Sequence, residues 1–147
     1  MSSRRSRRSG QGSQAAVPKG GDPCPCGLGG TYAACCGRLH AGEGAAATAE
    51  GLMRSRYSAF AARDTAYLLR TWHPDTRPPR IDLDPGTRWT GLEIVETSEG
   101  SAFHATGTVT FRAHFTERGR SGVLEERSRF ARADGAWVYV DGEASVQ

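Results

Sequence analysis

Residues 102–115 read AFHATGTVTFRAHF, and from Val109 onward apolar and polar positions alternate, with Val109, Phe111, Ala113 and Phe115 on one side and Thr110, Arg112 and His114 on the other. A period of two is the signature of a strand with one face buried. Working outward, residues 117–122 form a polar hairpin loop and residues 123–131 return as a second strand. Asp134-Gly135 is a two-residue hairpin signal, after which 136–141 closes a meander. Upstream, Leu92 and Ile94 alternate within 89–97, and 98–101 turns the chain. Before that the period becomes helical. Thr48 is an N-cap with Glu50 in the first turn, and Leu52, Met53, Arg56, Tyr57 and Phe60 make one stripe. Asp64 caps a second short helix bearing Tyr67, Leu68 and Trp72, which Pro74 stops, and Pro78, Pro79 and Pro85 make 75–86 a loop. Helices followed by a run of antiparallel strands predict an α+β fold with the helices over one face of the sheet.

All four cysteines fall within residues 24–36, as Cys24-Pro25-Cys26 and, eight residues on, Cys35-Cys36. Two closely spaced thiolate pairs joined by a tight turn supply the four soft donors of a tetrahedral site, and Gly27, Gly29 and Gly30 fill the turn. Disulfides compete for the same residues. A vicinal or C-x-C bridge is strained, so only cross-pairing is comfortable. Residues 1–19 carry no apolar signal-like core, which predicts a reducing, cytoplasmic setting where metal is favoured over disulfide. The expected cofactor is a structural zinc ion on Cys24, Cys26, Cys35 and Cys36; an iron–sulfur centre takes the same donors, and His40 is an alternative to Cys36 as fourth ligand.

The chain of 147 residues is long enough for one core plus an appendage. No apolar stretch approaches the ~20 residues of a membrane span. The formal charge of +3 is uneven: Arg4, Arg5, Arg7, Arg8 and Lys19 stand in the first twenty residues without an acid. Residues 1–20 read as a disordered basic tail, able to make weak, salt-screened phosphate contacts with nucleic acid or to act only as a solubilising extension.

The run CPCGLGGTYAACCG, residues 24–37, resembles the SEC-C motif, a zinc knuckle found at the C-terminus of the SecA translocation ATPase and in many unrelated proteins. Leu28 stands where the motif has Ser, and Gly30, Thr31 and Ala33 where lysines are usual, so the ligand set carries over while the basic docking surface does not. Further on, LMRSRYSAF at 52–60, Tyr67-Leu68, TWHP at 71–74, Trp89-x-Gly91-Leu92, ERSRF at 126–130 and Trp137-x-Tyr139-x-Asp141-Gly142 together resemble the uncharacterised YchJ-type family. That resemblance implies a knuckle at 21–40 ahead of a cone-shaped domain at 47–143, like nuclear transport factor two, in which helices close over a curved antiparallel sheet. It implies no particular reaction. By the same analogy a homodimer would form through the sheet. A four-sulfur site with no water position is structural, so the knuckle is expected to shape a small surface that either packs on the cone or is presented to a partner protein.

Period two places Leu124, Glu126 and Ser128 on the side of Phe130, so a core Phe130 directs Glu126 inward. A buried carboxylate needs a partner, and Arg54, Arg56 and His73 are the candidates. Trp137, Tyr139 and Asp141 share a face of the last strand. The candidate pocket is therefore Arg54, Tyr57, Trp72, His73, Glu126, Ser128, Tyr139 and Asp141. Two readings stand. In one, Glu126 or Asp141 is a general base, with Tyr57, Tyr139 or His73 as hydrogen-bond donor to a small carbonyl substrate. In the other, Glu126 and an arginine form a buried ion pair that orients helix on sheet. No Walker loop, dinucleotide fingerprint or nucleophile-and-base spacing occurs.

Overall fold

The computed structural model describes residues 17–147; residues 1–16 of the basic tail lie outside the described residues. A five-residue helix α1 (Cys36–His40) ends the knuckle, followed by α2 (Ala49–Ala62) and α3 (Thr65–Arg70). Both predicted caps form: Thr48 Oγ1 accepts from the Gly51 amide at 2.9 Å, and Asp64 Oδ1 accepts from the Tyr67 amide at 3.0 Å. Between the two helices Arg63 takes a left-handed conformation at φ 60°, which lets α3 start two residues later.

Four strands follow, β1 (Thr87–Glu99), β2 (Thr106–Glu117), β3 (Arg120–Ala133) and β4 (Ala136–Val146), paired antiparallel in sequence order as a meander. The fold is α+β, as expected, and Val109, Phe111, Ala113 and Phe130 face the helices. The strands are longer than their apolar alternation suggests, because ladder hydrogen bonds continue into polar ends that touch no core. The expected strand at 102–115 starts later, at Thr106. Residues 101–105 turn instead, and Phe103 is 96% exposed there. The polar loop expected at 117–122 shrinks to the pair Arg118-Gly119, both at positive φ, as at Asp134-Gly135; this is the backbone twist that two-residue hairpins need.

Curvature comes from three extra residues. The register skips Thr90 and Val95 in β1 and Val140 in β4. A bulge bends its strand and raises the local twist, so outer and last strands wrap toward the helices. Opposite Phe115, Gly122 leaves the space the aromatic ring occupies; a Cβ there would meet the ring edge. The main core joins Leu52, Met53 and Tyr57 of α2 to Val109, Phe111, Phe130 and Trp137 of the sheet, and Trp137 Nε1 donates to the Ala47 carbonyl at 3.2 Å.

Helix α2 is covered on two sides. Ala49, Leu52, Met53, Arg56 and Tyr57 turn to the sheet, while Ser55 and Ser58, both fully buried, turn to the knuckle and α3. The single apolar stripe expected from the sequence is thus half of the buried surface. The other half is small and polar, and its hydroxyls are bonded: Ser55 Oγ donates to the Leu52 carbonyl at 2.7 Å and accepts from Tyr67 O–H at 2.7 Å.

Candidate functional site

Gly27 and Gly29, at φ 84° and 98°, turn the chain from the first cysteine pair to the second; Gly30, also expected to serve the turn, does not use a left-handed conformation. Gly37 follows the second pair where the Tyr32 carbonyl approaches too closely for any Cβ, and its amide donates to that carbonyl at 2.7 Å. The outcome is that the Sγ atoms of Cys24, Cys26, Cys35 and Cys36 all lie within 4.8 Å of one another. Cys26 and Cys35 sulfurs are 3.6 Å apart, close to the roughly 3.8 Å edge of a tetrahedron with ~2.3 Å metal–sulfur bonds.

The donor set fits a soft, four-coordinate cation. Four crowded, largely buried thiols cannot all ionise alone. The Cys36 S–H held against Cys26 pulls the Cys26 thiol down to about 5, and the same contact together with burial pushes Cys36 far above the ordinary thiol range. Burial first, then the neighbouring sulfurs, raises Cys35 to about 11. A shared cation removes that conflict by stabilising every thiolate at once. With four protein sulfurs, such a site has no open position for substrate.

His40 is not a fourth ligand. Its Nδ1 accepts from Tyr32 O–H at 2.6 Å and its Nε2 donates to the Ser55 carbonyl at 2.9 Å, which fixes the tautomer. Burial holds its pKa below the ordinary histidine value. It ties knuckle to α2, alongside Arg54, whose Nη1 donates to the Cys26 carbonyl at 2.8 Å and whose Nε pairs with Glu50 at 3.0 Å. Cys24 Sγ is 3.6 Å from Ser58 Oγ, and Cys36 Sγ is 3.7 Å from the Arg54 carbonyl.

On the other side of α2 a cavity of about 280 Å³ opens between helix and sheet. Its walls are mainly aromatic and aliphatic, with Tyr57, Phe60, Trp72 and Trp89 among them, and its polar groups are Arg56, Glu126, Ser128 and Tyr139. Glu126 does face inward. One of its oxygens, Oε2, accepts from Ser128 O–H at 2.6 Å and from Tyr139 O–H at 3.2 Å. Burial and then Glu126 raise the Tyr139 pKa, so the phenol stays a donor, and burial raises Tyr57 to about 12.

Of the predicted pocket residues, Tyr57, Trp72, Glu126, Ser128 and Tyr139 line the cavity together. Three do not. Arg54 lies two residues from Arg56, roughly 200° round the helix, and serves the knuckle. His73 sits beyond the end of α3, where its Nδ1 accepts from the Asp75 amide at 3.0 Å. Asp141 is carried outward by the extra residue Val140, which reverses the side-chain parity after Tyr139; it pairs with Arg129 at 2.6 Å on the outer face.

The expected ion pair of Glu126 with an arginine is not made either among the described residues. Arg56 is 4% exposed; its Nη1 donates to the Leu68 carbonyl at 2.8 Å and Thr71 Oγ1 at 2.7 Å. Its guanidinium lies 4.7 Å from the Tyr139 ring centroid and 5.2 Å from that of Trp72. Desolvation draws its pKa down to about 10, leaving it charged near neutrality. Sequence reasoning missed Phe60, Trp89 and Leu124 as walls, and Gly142 altogether. A Cβ on Gly142 would fall on the Glu126 carboxylate, so the glycine makes its room. No local signal marked it, because the strand expected at 136–141 stops one residue short of it, while the strand observed runs on to Val146.

A thiolate knuckle fastened to the helix of a small cone, with a lined cavity on that helix's far side, defines a two-part class: a SEC-C knuckle joined to an NTF2-like domain. Residues 48–142 match the middle NTF2-like domain of YchJ and residues 22–38 match the SEC-C motif; the chain belongs to the YchJ family. It is 68% identical over 121 residues to a UPF0225 protein of Streptomyces coelicolor, covering 82% of this chain and 94% of that one. A UPF0225 protein of Corynebacterium glutamicum is 52% identical over 123 residues, covering 84% and 98%. The solution structure of a SEC-C motif containing protein from Rhodopseudomonas palustris superposes with a TM-score of 0.72 at 38% identity, over 84% of this chain and 98% of that one. A crystal structure of a SEC-C motif containing protein from Psychrobacter arcticus gives 0.67 at 28%, over 82% and 81%. Among the described residues, no helix is long and apolar enough to cross a membrane.

Proposed function

We propose that this is a zinc-stabilised binding protein in which the metal is structural and the cone cavity is the working site. One observation carries it: Arg56 and Glu126 face the same apolar cavity, each anchored by other groups and neither ion-paired with the other. Holding a buried arginine and a half-buried carboxylate on one apolar cavity without pairing them does little for a merely structural core, whereas a ligand held between them uses both. Zinc is the metal that suits four thiolates with no redox role and no open position. In this reading it holds the knuckle on α2 and takes no part in ligand chemistry.

Protein docking through the knuckle is a weaker reading here, because Cys24, Cys36, His40 and Arg54 are already spent on contacts within the chain. What would be left is the outer turn with exposed Leu28.

The test is a titration of small aromatic fragments followed by the indole N–H resonances of Trp72 and Trp89, which line the cavity. Fragments should move both in the wild-type protein and neither in Leu124→Trp, where a larger side chain fills the space. Shifts that persist unchanged in the filled variant would place binding elsewhere and sink the reading.

A further inference from the structure

The polar groups of the cavity specify more than an apolar guest. Arg56 uses Nη1 on Leu68 and Thr71, and its Nε and Nη2 have no acceptor among the described residues although the side chain is almost wholly buried. Glu126 receives both of its hydrogen bonds on Oε2, so its other oxygen, Oε1, has no donor among the described residues. The cavity thus offers one charged donor and one charged acceptor, each with a hydrogen-bonding position to spare, and the buried N–H of Trp72 in its wall also lacks an acceptor among the described residues.

Their charges are opposite, so the site is electrically balanced. An anion would gain from Arg56 but be repelled by Glu126, and a cation the reverse; either would enter a region of low dielectric as an excess charge. A neutral molecule that accepts from one group and donates to the other meets no such penalty. The walls decide its shape. Tyr57, Phe60, Trp72 and Trp89 present aromatic surfaces, which favour a flat ring. A volume of about 280 Å³ is at the small end of ligand pockets, which suits one or two fused rings.

Resting on the cavity reading above, we infer that the site takes a small, uncharged, planar ring molecule presenting an N–H beside a carbonyl, as a lactam or imide does. The carbonyl accepts from Arg56 and the N–H donates to Glu126. Ser128 and Tyr139 hold the carboxylate in place and are positioning residues. Gly142 acts likewise, by leaving the carboxylate its space.

Oxindole is a suitable probe, with N-methyloxindole, phenylacetate and phenethylamine as companions of similar size that lack the N–H or carry a charge. Each is titrated into the zinc-loaded full chain, with binding read from the indole resonances of Trp72 and Trp89. Oxindole should bind at least about tenfold more tightly than each companion, the usual worth of a charge-assisted hydrogen bond. Glu126→Gln, which keeps the shape and removes the charge, should erase most of that preference for oxindole over N-methyloxindole while leaving the protein folded. Leu124→Trp should abolish binding of all four.

The outcomes separate the two claims. If phenylacetate or phenethylamine binds as tightly as oxindole, or if Glu126→Gln leaves the N–H preference intact, the ligand class is wrong while the cavity reading stands. If no probe moves either indole and a crystal soaked with oxindole shows only water between Arg56 and Glu126, both fall.

Discussion

Arg54 and Arg56 sit two residues apart on α2 and serve opposite sites: Arg54 donates to the Cys26 carbonyl of the knuckle, and Arg56 lines the cone cavity under Trp72 and Tyr139. The helix is therefore the shared wall of cysteine cluster and cavity. It works as one because residues two apart face nearly opposite ways.

Replacing each arginine by methionine should separate the two functions. Arg54→Met removes one charge-assisted hydrogen bond to the knuckle and one partly exposed ion pair, at about 1–2 kcal/mol. Zinc should pass faster to a chromogenic chelator, while oxindole binding is unchanged. Arg56→Met leaves the Leu68 carbonyl without its guanidinium donor, at about 3 kcal/mol, and should spare the rate of metal release while weakening the cavity. Identical effects of the two substitutions on both readouts would mean that α2 responds as one unit.

Metal content gives the second test. Purified without chelator, the protein should hold one zinc per chain by elemental mass analysis, and Cys24→Ser should hold much less than one. Removing the ion removes its binding energy from the folded state, about 4 kcal/mol when free zinc stands a thousandfold above Kd. Thermal unfolding should shift down accordingly, with the strand signature retained because the sheet's own core of Val109, Phe111 and Phe130 does not touch the cluster. A metal-free wild type melting at the same temperature would contradict a structural zinc.

The fold was legible where periodicity and caps speak for themselves. Val109 to Phe115, Thr48, Asp64 and Asp134-Gly135 each carry a local signal whose physical cause acts within a few residues. The cysteine spacing was legible for the same reason. Asp141 was not, because one extra residue at Val140 reverses every side chain beyond it and nothing in the local pattern marks the insertion. Arg54 and Arg56 were only half separated. The stripe of Leu52, Met53, Arg56, Tyr57 and Phe60 put Arg56 on the sheet side, but nothing local showed that the opposite face is buried too, so the knuckle contact that claims Arg54 was not legible. Gly142 was invisible for a third reason: its role is to be empty, opposite a carboxylate sixteen residues earlier.

His40 predicts a pH dependence with a definite sign. Burial depresses its pKa in the folded chain below the unfolded value, so over an interval below about pH 6.5 the unfolded chain binds the proton more readily. The neutral imidazole's contribution is fully present above the unfolded pKa and is lost as pH falls through that interval to the folded pKa. His40→Gln cannot titrate, so the stability difference between it and zinc-loaded wild type should shrink as the pH is lowered from 7 to 5. Acid-driven metal loss affects both proteins and cancels in the difference. A difference that is constant with pH, measured by denaturant unfolding, would assign the acid response to the thiolates alone.

Gly142 and Glu126 should be thermodynamically coupled. Gly142→Ala places a methyl group on the carboxylate, and forcing Glu126 aside breaks its bonds from Ser128 and Tyr139 at about 2 kcal/mol. In a Glu126→Ala background the obstruction is gone, so the same glycine substitution should cost only about 0.5 kcal/mol. A double-mutant cycle by denaturant titration should then give an interaction of about 1.5 kcal/mol. The phenol of Tyr139 reports the same event independently. Its pKa is raised first by burial and then by Glu126, so in Gly142→Ala its ultraviolet titration should move down toward the ordinary value without reaching it. A fully additive cycle with an unmoved tyrosine would show that the strand yields before the carboxylate does, and that Gly142 is not what holds the acceptor of the cavity in place.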